Sequence, residues 1–149
     1  MSHVFECTAE NAKQIATLHA SAFQKDEAWD AKAIIDLLAQ PQNKAFGLGV
    51  PLQAFIIVQH IAPEAEILTL ATAPSAKRKG YAAGLITEAT KQLSVEKWLL
   101  DVAEDNHAAI ALYEHLGFKR DGIRANYYRR ENGQTVDAVL MSLRLAGHG

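Results

Sequence analysis

Apolar residues recur at helical spacing in four segments of the chain, and capping residues mark where these segments begin. The longest is residues 75–93, where one face carries Ala82, Leu85, Ile86, Ala89 and Leu93. The others are residues 9–22 after Thr8, a segment between Asp30 and Pro41, and a segment ending at Leu116 after Asp105 or Asn106. Because Ser, Thr, Asp and Asn favour the helix N-cap position, the pattern predicts four helices.

Segments dense in β-branched and aromatic residues, bounded by Pro, Gly or Asn, predict strands. Seven are predicted, at residues 3–7, 46–50, 52–61, 66–73, 98–102, 118–127 and 135–143. Gly117 follows the fourth helix at the position of a left-handed C′ residue, where Phe118 could contact Tyr113 in a Schellman motif. The order β-α-α-β-β-β-α-β-α-β-β predicts an α/β or α+β fold with one mixed sheet.

Composition narrows the class of protein. The chain has 149 residues, and a domain of this size buries enough surface to fold without disulfides or metals, so we expect one domain over residues 1–149. A net charge of -2 disfavours a nucleic-acid binder. The first residues lack the basic and apolar regions of a secretory signal, and no apolar run is long enough to span a membrane. We therefore expect a cytoplasmic protein.

The segment with the clearest chemistry opens the third helix. Three cations, Lys77, Arg78 and Lys79, precede Gly80, and small residues follow at positions 82 and 83. Helix N-termini present free N–H groups and the positive end of the helix dipole, so this segment could bind phosphates. The alternative is a solvated basic turn with small residues for packing. The segment contains neither the Walker pattern nor the Gly-x-Gly-x-x-Gly fingerprint, so a nucleoside-triphosphate or dinucleotide site is poorly supported.

The same segment resembles a known motif. Lys77-x-x-Gly80-x-Ala82 is similar to the Gln/Arg-x-x-Gly-x-Gly/Ala motif of the GNAT superfamily of N-acetyltransferases, with ILTLATAP before it and WLLDVAEDNHAAIALYEHLGF after it. The run from Asn106 to Phe118 and the tail segments IRANYY and DAVLMSL are similar to the RimI type, which acetylates the N-terminal amine of a ribosomal protein. The resemblance implies a GNAT-like fold, with a mixed, mostly antiparallel sheet flanked by helices.

The resemblance also implies acetyl-CoA as the acetyl donor and assigns residues to it. Those expected to offer backbone groups to the pantetheine arm are Leu70, Ala71 and Thr72. Those expected to surround the pyrophosphate are Arg78, Lys79, Gly80, Tyr81, Ala82 and Ala83. Asn106 would contact the pantetheine side of the cofactor.

Two residues carry the chemistry that the resemblance implies. Tyr113 matches the general acid that protonates the departing thiolate, although its place on an apolar helix face also suits a core tyrosine. Asp101 stands where RimI enzymes have a glutamate base. Its side chain is one methylene shorter and reaches less far. Three alternatives therefore stay open: Asp101 takes the proton directly, takes it through a water, or is not the base. Glu66 is the reserve candidate. An aspartate between apolar neighbours must in any case be exposed at an edge or partnered.

Other polar side chains are interpreted as structural. The six histidines form no convincing ligand set, so we expect surface or capping roles and no metal. Cys7 is expected to be a small core residue. The basic tail segment is interpreted as a solvated edge rather than a substrate site, and it contains Arg120, Arg124, Arg129 and Arg130.

The resemblance implies that the acceptor is the α-amine of a protein, such as a small-subunit ribosomal protein. An α-amine with a pKa of about 7.7–8.0 is roughly one-third neutral at pH 7.5, whereas a lysine with a pKa of about 10.4 is neutral roughly one time in a thousand. A modest base therefore suits the α-amine. The alternatives are an acetyltransferase of small-molecule amines and a non-catalytic acyl-CoA-binding protein. Acetylation of charged tRNA is disfavoured by the net charge, and the oligomeric state is left open.

Overall fold

The computed structural model describes residues 3–23, 28–77 and 79–145. The helices are α1 (Ala12–Ala22), α2 (Ala31–Leu38), α3 (Tyr81–Leu93) and α4 (His107–His115). The strands are β1 (Val4–Cys7), β2 (Asn43–Leu48), β3 (Ala54–Ile61), β4 (Glu64–Thr72), β5 (Lys97–Ala103), β6 (Lys119–Arg129) and β7 (Thr135–Arg144). The predicted order of helices and strands is confirmed.

All seven strands form one sheet in the order β1-β2-β3-β4-β5-β7-β6. β4 and β5 are paired in parallel, and the other neighbours are antiparallel. The mixed, mostly antiparallel α/β architecture is therefore confirmed. The parallel pair requires a crossover, and α3 supplies it.

Two apolar clusters cover the two faces of the sheet. The first cluster lies under α3 and α4 and is centred on Trp98, whose indole N–H donates to Thr90 Oγ1 at 2.9 Å. The second cluster lies under α1 and α2 and contains Ile15, Ile34 and Cys7. The prediction of Cys7 as a core residue is confirmed. Since α1 and α2 pack on β1–β4, neither cluster covers, within the described residues, the face of β5, β6 and β7 that lies opposite α3 and α4.

Local capping confirms most predicted helix ends. Thr8 forms a reciprocal capping box with Asn11, and Asp30 Oδ1 accepts from the N–H of Ala33 at 2.8 Å. The predicted first helix begins as a 3-10 turn over Ala9–Asn11 and becomes α-helical at Ala12. Between the two candidate caps of α4, the structure selects Asn106.

Three sequence predictions need correction. The third helix begins at Tyr81 rather than at residue 75, because Pro74–Ala76 forms a 3-10 turn and Gly80 adopts a left-handed φ of 76°. β2 begins at Asn43, three residues earlier than expected. His19 is buried rather than on the surface, stacked on Phe23 and Trp29 with ring centroids 4.1 and 5.0 Å away.

Candidate active site

An open gap in the sheet separates the C-terminal ends of β4 and β5. Their pairing stops at Ile67 and Leu100, yet both strands continue. Backbone groups alternate between the two edges of a strand, so part of the N–H and C=O groups of residues 68–72 points into the gap. We call the space between residues 68–72 of β4 and residues 101–103 of β5 the β4–β5 wedge.

A β-bulge in β4 coincides with the start of the wedge. One extra residue, Leu68, lies between the pairs that β4 makes with Ile57 and Val58 of β3. The bulge reverses the alternation of side chains, because Ala65 before it packs in the first cluster and Ala71 after it packs in the second. Bulges bend a strand and increase its twist, which explains why β4 separates from β5 here.

The N-terminus of α3 presents free backbone donors. The first helical hydrogen bond is donated by Gly84 to the carbonyl of Gly80 at 3.0 Å. The N–H groups of Tyr81 and Ala83 have no acceptor among the described residues. A Cβ built on Gly80 would meet no protein atom within 4 Å, so the backbone is open to a ligand. This arrangement fits the pyrophosphate of a CoA derivative.

Apart from Arg78 and Asn106, the residues predicted to contact the cofactor lie at these two places. Leu70, Ala71 and Thr72 form the β4 side of the β4–β5 wedge, after the bulge. Lys79 is exposed beside Gly80, whereas Arg78 lies outside the described residues. The Ala82 side chain is buried, so its smallness serves packing and only its backbone can face a phosphate.

Asn106 serves first as a helix cap. Its Oδ1 accepts from the N–H of Ala109 at 3.2 Å, and its side-chain N–H₂ makes no hydrogen bond to a described residue. The amide donors are therefore available to a ligand carbonyl. The pantetheine contact predicted for Asn106 stays a prediction.

Tyr113 lies on α4, on the face of the sheet that α3 and α4 cover. It packs in the first cluster and is 8% exposed, and its hydroxyl makes no hydrogen bond to a described residue. Burial, and secondarily the nearby Tyr128, raises the pKa of Tyr113 well above its ordinary value. The phenol therefore keeps its proton at neutral pH, which is the state that a general acid requires.

Two carboxylates approach from the other face of the sheet. Glu66 pairs with Leu99, which lies two residues before Asp101, so both carboxylates project from the face opposite Trp98. Burial and the charge of Asp101 raise the pKa of Glu66, while Arg124 partly offsets both effects. Asp101 ion-pairs with Arg124, with 3.5 Å between Oδ2 and Nη1. Of the two expected alternatives for Asp101, an exposed edge or a partner, the structure shows a partner.

Residues of β6 lie beside the two carboxylates, and the sequence analysis did not assign them to the site. Burial and the charges of Asp101, Tyr127 and Glu66 raise the pKa of Tyr128 to about 12, while Arg124 lowers it. Arg124 is 53% exposed on the edge strand, as the solvated-edge interpretation expects, and it also ion-pairs with Asp101, whereas Arg130 departs from that interpretation because its side chain is only 11% exposed. The IRANYY segment was the available signal, but the sequence did not indicate that Arg124 within it lies beside Asp101 of β5.

The described residues contain no group of three or more His, Cys, Asp or Glu side chains that could hold a metal ion. Across the same residues, every helix is too short or too polar to cross a membrane.

Known proteins are similar to this chain in both sequence and fold. A model of the acetyltransferase (GNAT) family matches residues 11–118. The [ribosomal protein bS18]-alanine N-acetyltransferase of Escherichia coli K12 is 38% identical over 95 residues, which cover 62% of this chain and 64% of that protein. The Haemophilus ducreyi enzyme of the same name is 37% identical, with 62% and 66% covered. The match thus spans just under two thirds of the length of these curated relatives.

Two further comparisons cover more of the chain. The N-alpha-acetyltransferase RimI of Mycobacterium tuberculosis is 31% identical over 128 residues, covering 82% of this chain and 81% of that protein. The crystal structure of the ribosomal-protein-S18-alanine N-acetyltransferase from Escherichia coli superposes with a TM-score of 0.84 at 28% identity, covering 100% of this chain and 97% of the other. Arabidopsis thaliana NAA60 in complex with acetyl-CoA shares the fold at 15% identity, with a TM-score of 0.79 and 99% and 100% covered. The match from α1 to the end of α4, together with the common fold, shows that this chain belongs to the acetyltransferase (GNAT) family.

Proposed function

We propose that this protein transfers the acetyl group of acetyl-CoA to the α-amine of a protein N-terminus, with a ribosomal protein as the favoured acceptor. The observation that carries the proposal is that two kinds of group lie on opposite faces of the sheet beside the β4–β5 wedge. A protonated phenol, Tyr113, lies on the face under α3 and α4, in the apolar cluster that also contains Val102 of β5 and contacts Leu70 of β4. The carboxylates Glu66 and Asp101 lie on the opposite face.

The donor site combines the wedge with the N-terminus of α3. Backbone groups of Leu70, Ala71 and Thr72 would bind the pantetheine arm, as a strand binds a neighbouring chain. The free N–H groups of Tyr81 and Ala83 would bind the pyrophosphate. The other residues proposed for this site are Arg78, Lys79, Gly80, Ala82 and Asn106. When bound, acetyl-CoA would supply an acetyl group activated as a thioester.

Tyr113 is proposed as the general acid. Its raised pKa keeps the proton on the phenol oxygen until a stronger base than water develops beside it. The hydroxyl has no described partner to release, so it can donate to the departing thiolate directly.

Asp101 and Glu66 are proposed to remove the proton from the acceptor amine. An ammonium approaching this face meets two carboxylates, and only one must take the proton, directly or through one water. Asp101 is the first candidate, because its side chain is 22% exposed and thus reachable from solvent. A carboxylate base suits an α-amine, because a usable fraction of such amines is already neutral at neutral pH.

The class of acceptor rests on the relatives. The curated relatives are named for acetylation of the alanine of ribosomal protein bS18, and the Mycobacterium tuberculosis relative is named an N-alpha-acetyltransferase. Because ribosomal proteins are made in the cytoplasm, the expected cytoplasmic location belongs to the same proposal.

Mass spectrometry of acetylated products tests the function. The enzyme and acetyl-CoA are incubated with a ribosomal-protein preparation from the source cell, a panel of N-terminal peptides, and a panel of polyamines and amino sugars. Tyr113→Phe is the matched control. We expect one added acetyl group on a protein N-terminus, strongly reduced in the control after the same incubation time. Acetylation of small amines alone would show that the acceptor is a small molecule rather than a protein. Binding of acetyl-CoA without turnover on any amine would indicate a non-catalytic protein.

A further inference from the structure

Arg124 on β6 makes two contacts that together place its charge over the carboxylates. Its Nη1 lies 3.5 Å from Asp101 Oδ2, and its Cζ lies 4.8 Å from the centre of the Tyr127 ring. A guanidinium at this distance from an aromatic face is in the range of a cation–π interaction. Tyr127 therefore supports the side chain from one side while Asp101 attracts it from the other.

An irregularity in β6 makes this arrangement possible. Side chains three positions apart in a regular strand point to opposite faces, so Arg124 could not stack on Tyr127. The register with β7 shifts between Arg124 and Tyr128, and Asn126 between them has a left-handed φ of 53°. The Asn126 N–H donates to Asp137 Oδ1 at 2.8 Å, which stabilises the shifted segment.

The ion pair of Arg124 differs from a purely structural one. Arg130 donates to Asp105 at 2.7 Å and its side chain is 11% exposed, as expected of a tightly held pair. Arg124 is 53% exposed, and its 3.5 Å contact is longer than a charge-assisted hydrogen bond. Arg124 thus supplies a positive charge while the oxygens of Asp101 stay available to accept a proton.

The charges around this site come from four elements. β4 contributes Glu66, β5 contributes Asp101, and β6 contributes Arg124, Tyr127 and Tyr128. Tyr113 of α4 lies within electrostatic reach of Tyr128. Among the described residues, the cation that lowers the pKa of both Glu66 and Tyr128 is Arg124. Two carboxylates that share a site disfavour each other's charge, and a nearby cation restores it.

We propose that Arg124, supported by Tyr127, is a positioning residue that holds the Asp101 carboxylate and places a positive charge beside Asp101 and Glu66, which face the acceptor amine. The proposal rests on the proposed function for its meaning, since it concerns the base of that reaction. It also makes a statement about the free protein that does not depend on turnover. The two parts can be tested separately.

The first test is a carboxyl ¹³C NMR titration of the free protein, in wild type and in three variants. Arg124→Gln removes the charge, Arg124→Lys keeps it, and Arg120→Gln removes an exposed arginine of the same strand that pairs with Glu114 instead. We expect the midpoint of Glu66 to rise by about one pH unit or more in Arg124→Gln. It should return toward wild type in Arg124→Lys and stay unchanged in Arg120→Gln. An unmoved midpoint in a folded Arg124→Gln protein, or an equal shift in Arg120→Gln, would overturn the proposal.

The second test is the pH dependence of kcat/KM with an N-terminal peptide. The acidic limb should move to higher pH in Arg124→Gln, with activity recovering as pH rises, and Arg124→Lys should restore it. A residue that only stabilises the fold would lower the melting temperature and reduce activity alike at all pH values, which would contradict the proposal. If Glu66 shifts as expected but no N-terminus is acetylated, the proposed function fails while the electrostatic role of Arg124 stands.

Discussion

Phe118 holds Tyr113 by both backbone and ring. The N–H of Phe118 donates to the carbonyl of Tyr113 at 2.9 Å, and the two rings meet edge to face with centroids 5.5 Å apart. Gly117, between them in the chain, adopts a φ of 103° and donates to the carbonyl of Glu114. These contacts complete the predicted Schellman motif. They fix the proposed general acid at the end of α4 through groups other than its hydroxyl.

We expect Tyr113→Phe to reduce kcat by roughly 10²–10⁴, the usual contribution of a general acid. The ring and its contact with Phe118 remain, so the affinity for acetyl-CoA and the thermal stability should change little. Steady-state kinetics and calorimetric titration with acetyl-CoA measure the two effects. Near-normal turnover would assign the tyrosine a purely structural role.

Gly80→Val should weaken acetyl-CoA binding strongly. The new side chain would enter the space that the open backbone leaves for the pyrophosphate. The left-handed φ adds a strain of roughly 1–2 kcal/mol to the folded state. Gly84→Ala is the matched control, because it lies in the same helix with open space around it and a negative φ. It should leave the Kd unchanged. Equal Kd values for the folded Gly80→Val protein and wild type would contradict the proposed pyrophosphate site.

Asp101→Asn should lower kcat/KM near neutral pH, with a loss that shrinks as pH rises and more of the acceptor amine is already neutral. Asp101→Glu should be tolerated, provided that the acceptor channel has room for one methylene. Glu66→Gln is the parallel variant that tests the reserve base. Activity of Asp101→Asn matching wild type at every pH would transfer the role to Glu66, whereas a KM raised equally at all pH values would indicate that Asp101 only orients the acceptor.

His19 should make the stability of the fold depend on pH. Burial lowers the pKa of His19 from 6.5 to about 4, and its Nδ1 accepts from the Trp29 N–H at 3.2 Å, so the folded protein holds a neutral ring. Between these pKa values the unfolded chain binds more protons than the folded one. The contribution of His19 is therefore fully present above pH 6.5 and is lost as pH falls toward 4. The loss should be at most about 3 kcal/mol.

Urea unfolding at several pH values measures this dependence. His19→Phe should lower the free energy of unfolding near neutral pH, because the hydrogen bond to Trp29 is lost, and should flatten its decline between pH 6.5 and 4. His107→Gln removes an exposed histidine of α4 and should retain the decline. An undiminished decline in His19→Phe would assign the dependence to other groups.

The sequence by itself determined the features that depend on neighbours in the chain. The caps at Thr8, Asp30 and Asn106 were predictable, because each side chain bonds to backbone only two or three residues away. The left-handed turn at Gly117 follows from the same short range. The order of strands and helices could be predicted because periodicity is also local.

The tertiary structure alone decided how distant segments meet. The β4–β5 wedge exists because a bulge at Leu68 ends a parallel ladder, and no property of either strand's own sequence states where its pairing with the other stops. The burial of His19 required Phe55 of β3 and Trp29 to close over the ring. The contact between Arg124 and Asp101 joins strands that are separated in the sheet by β7. Burial, charge and reach at such positions depend on the packing of remote residues, so a local pattern could name candidate groups without showing which of them face one another.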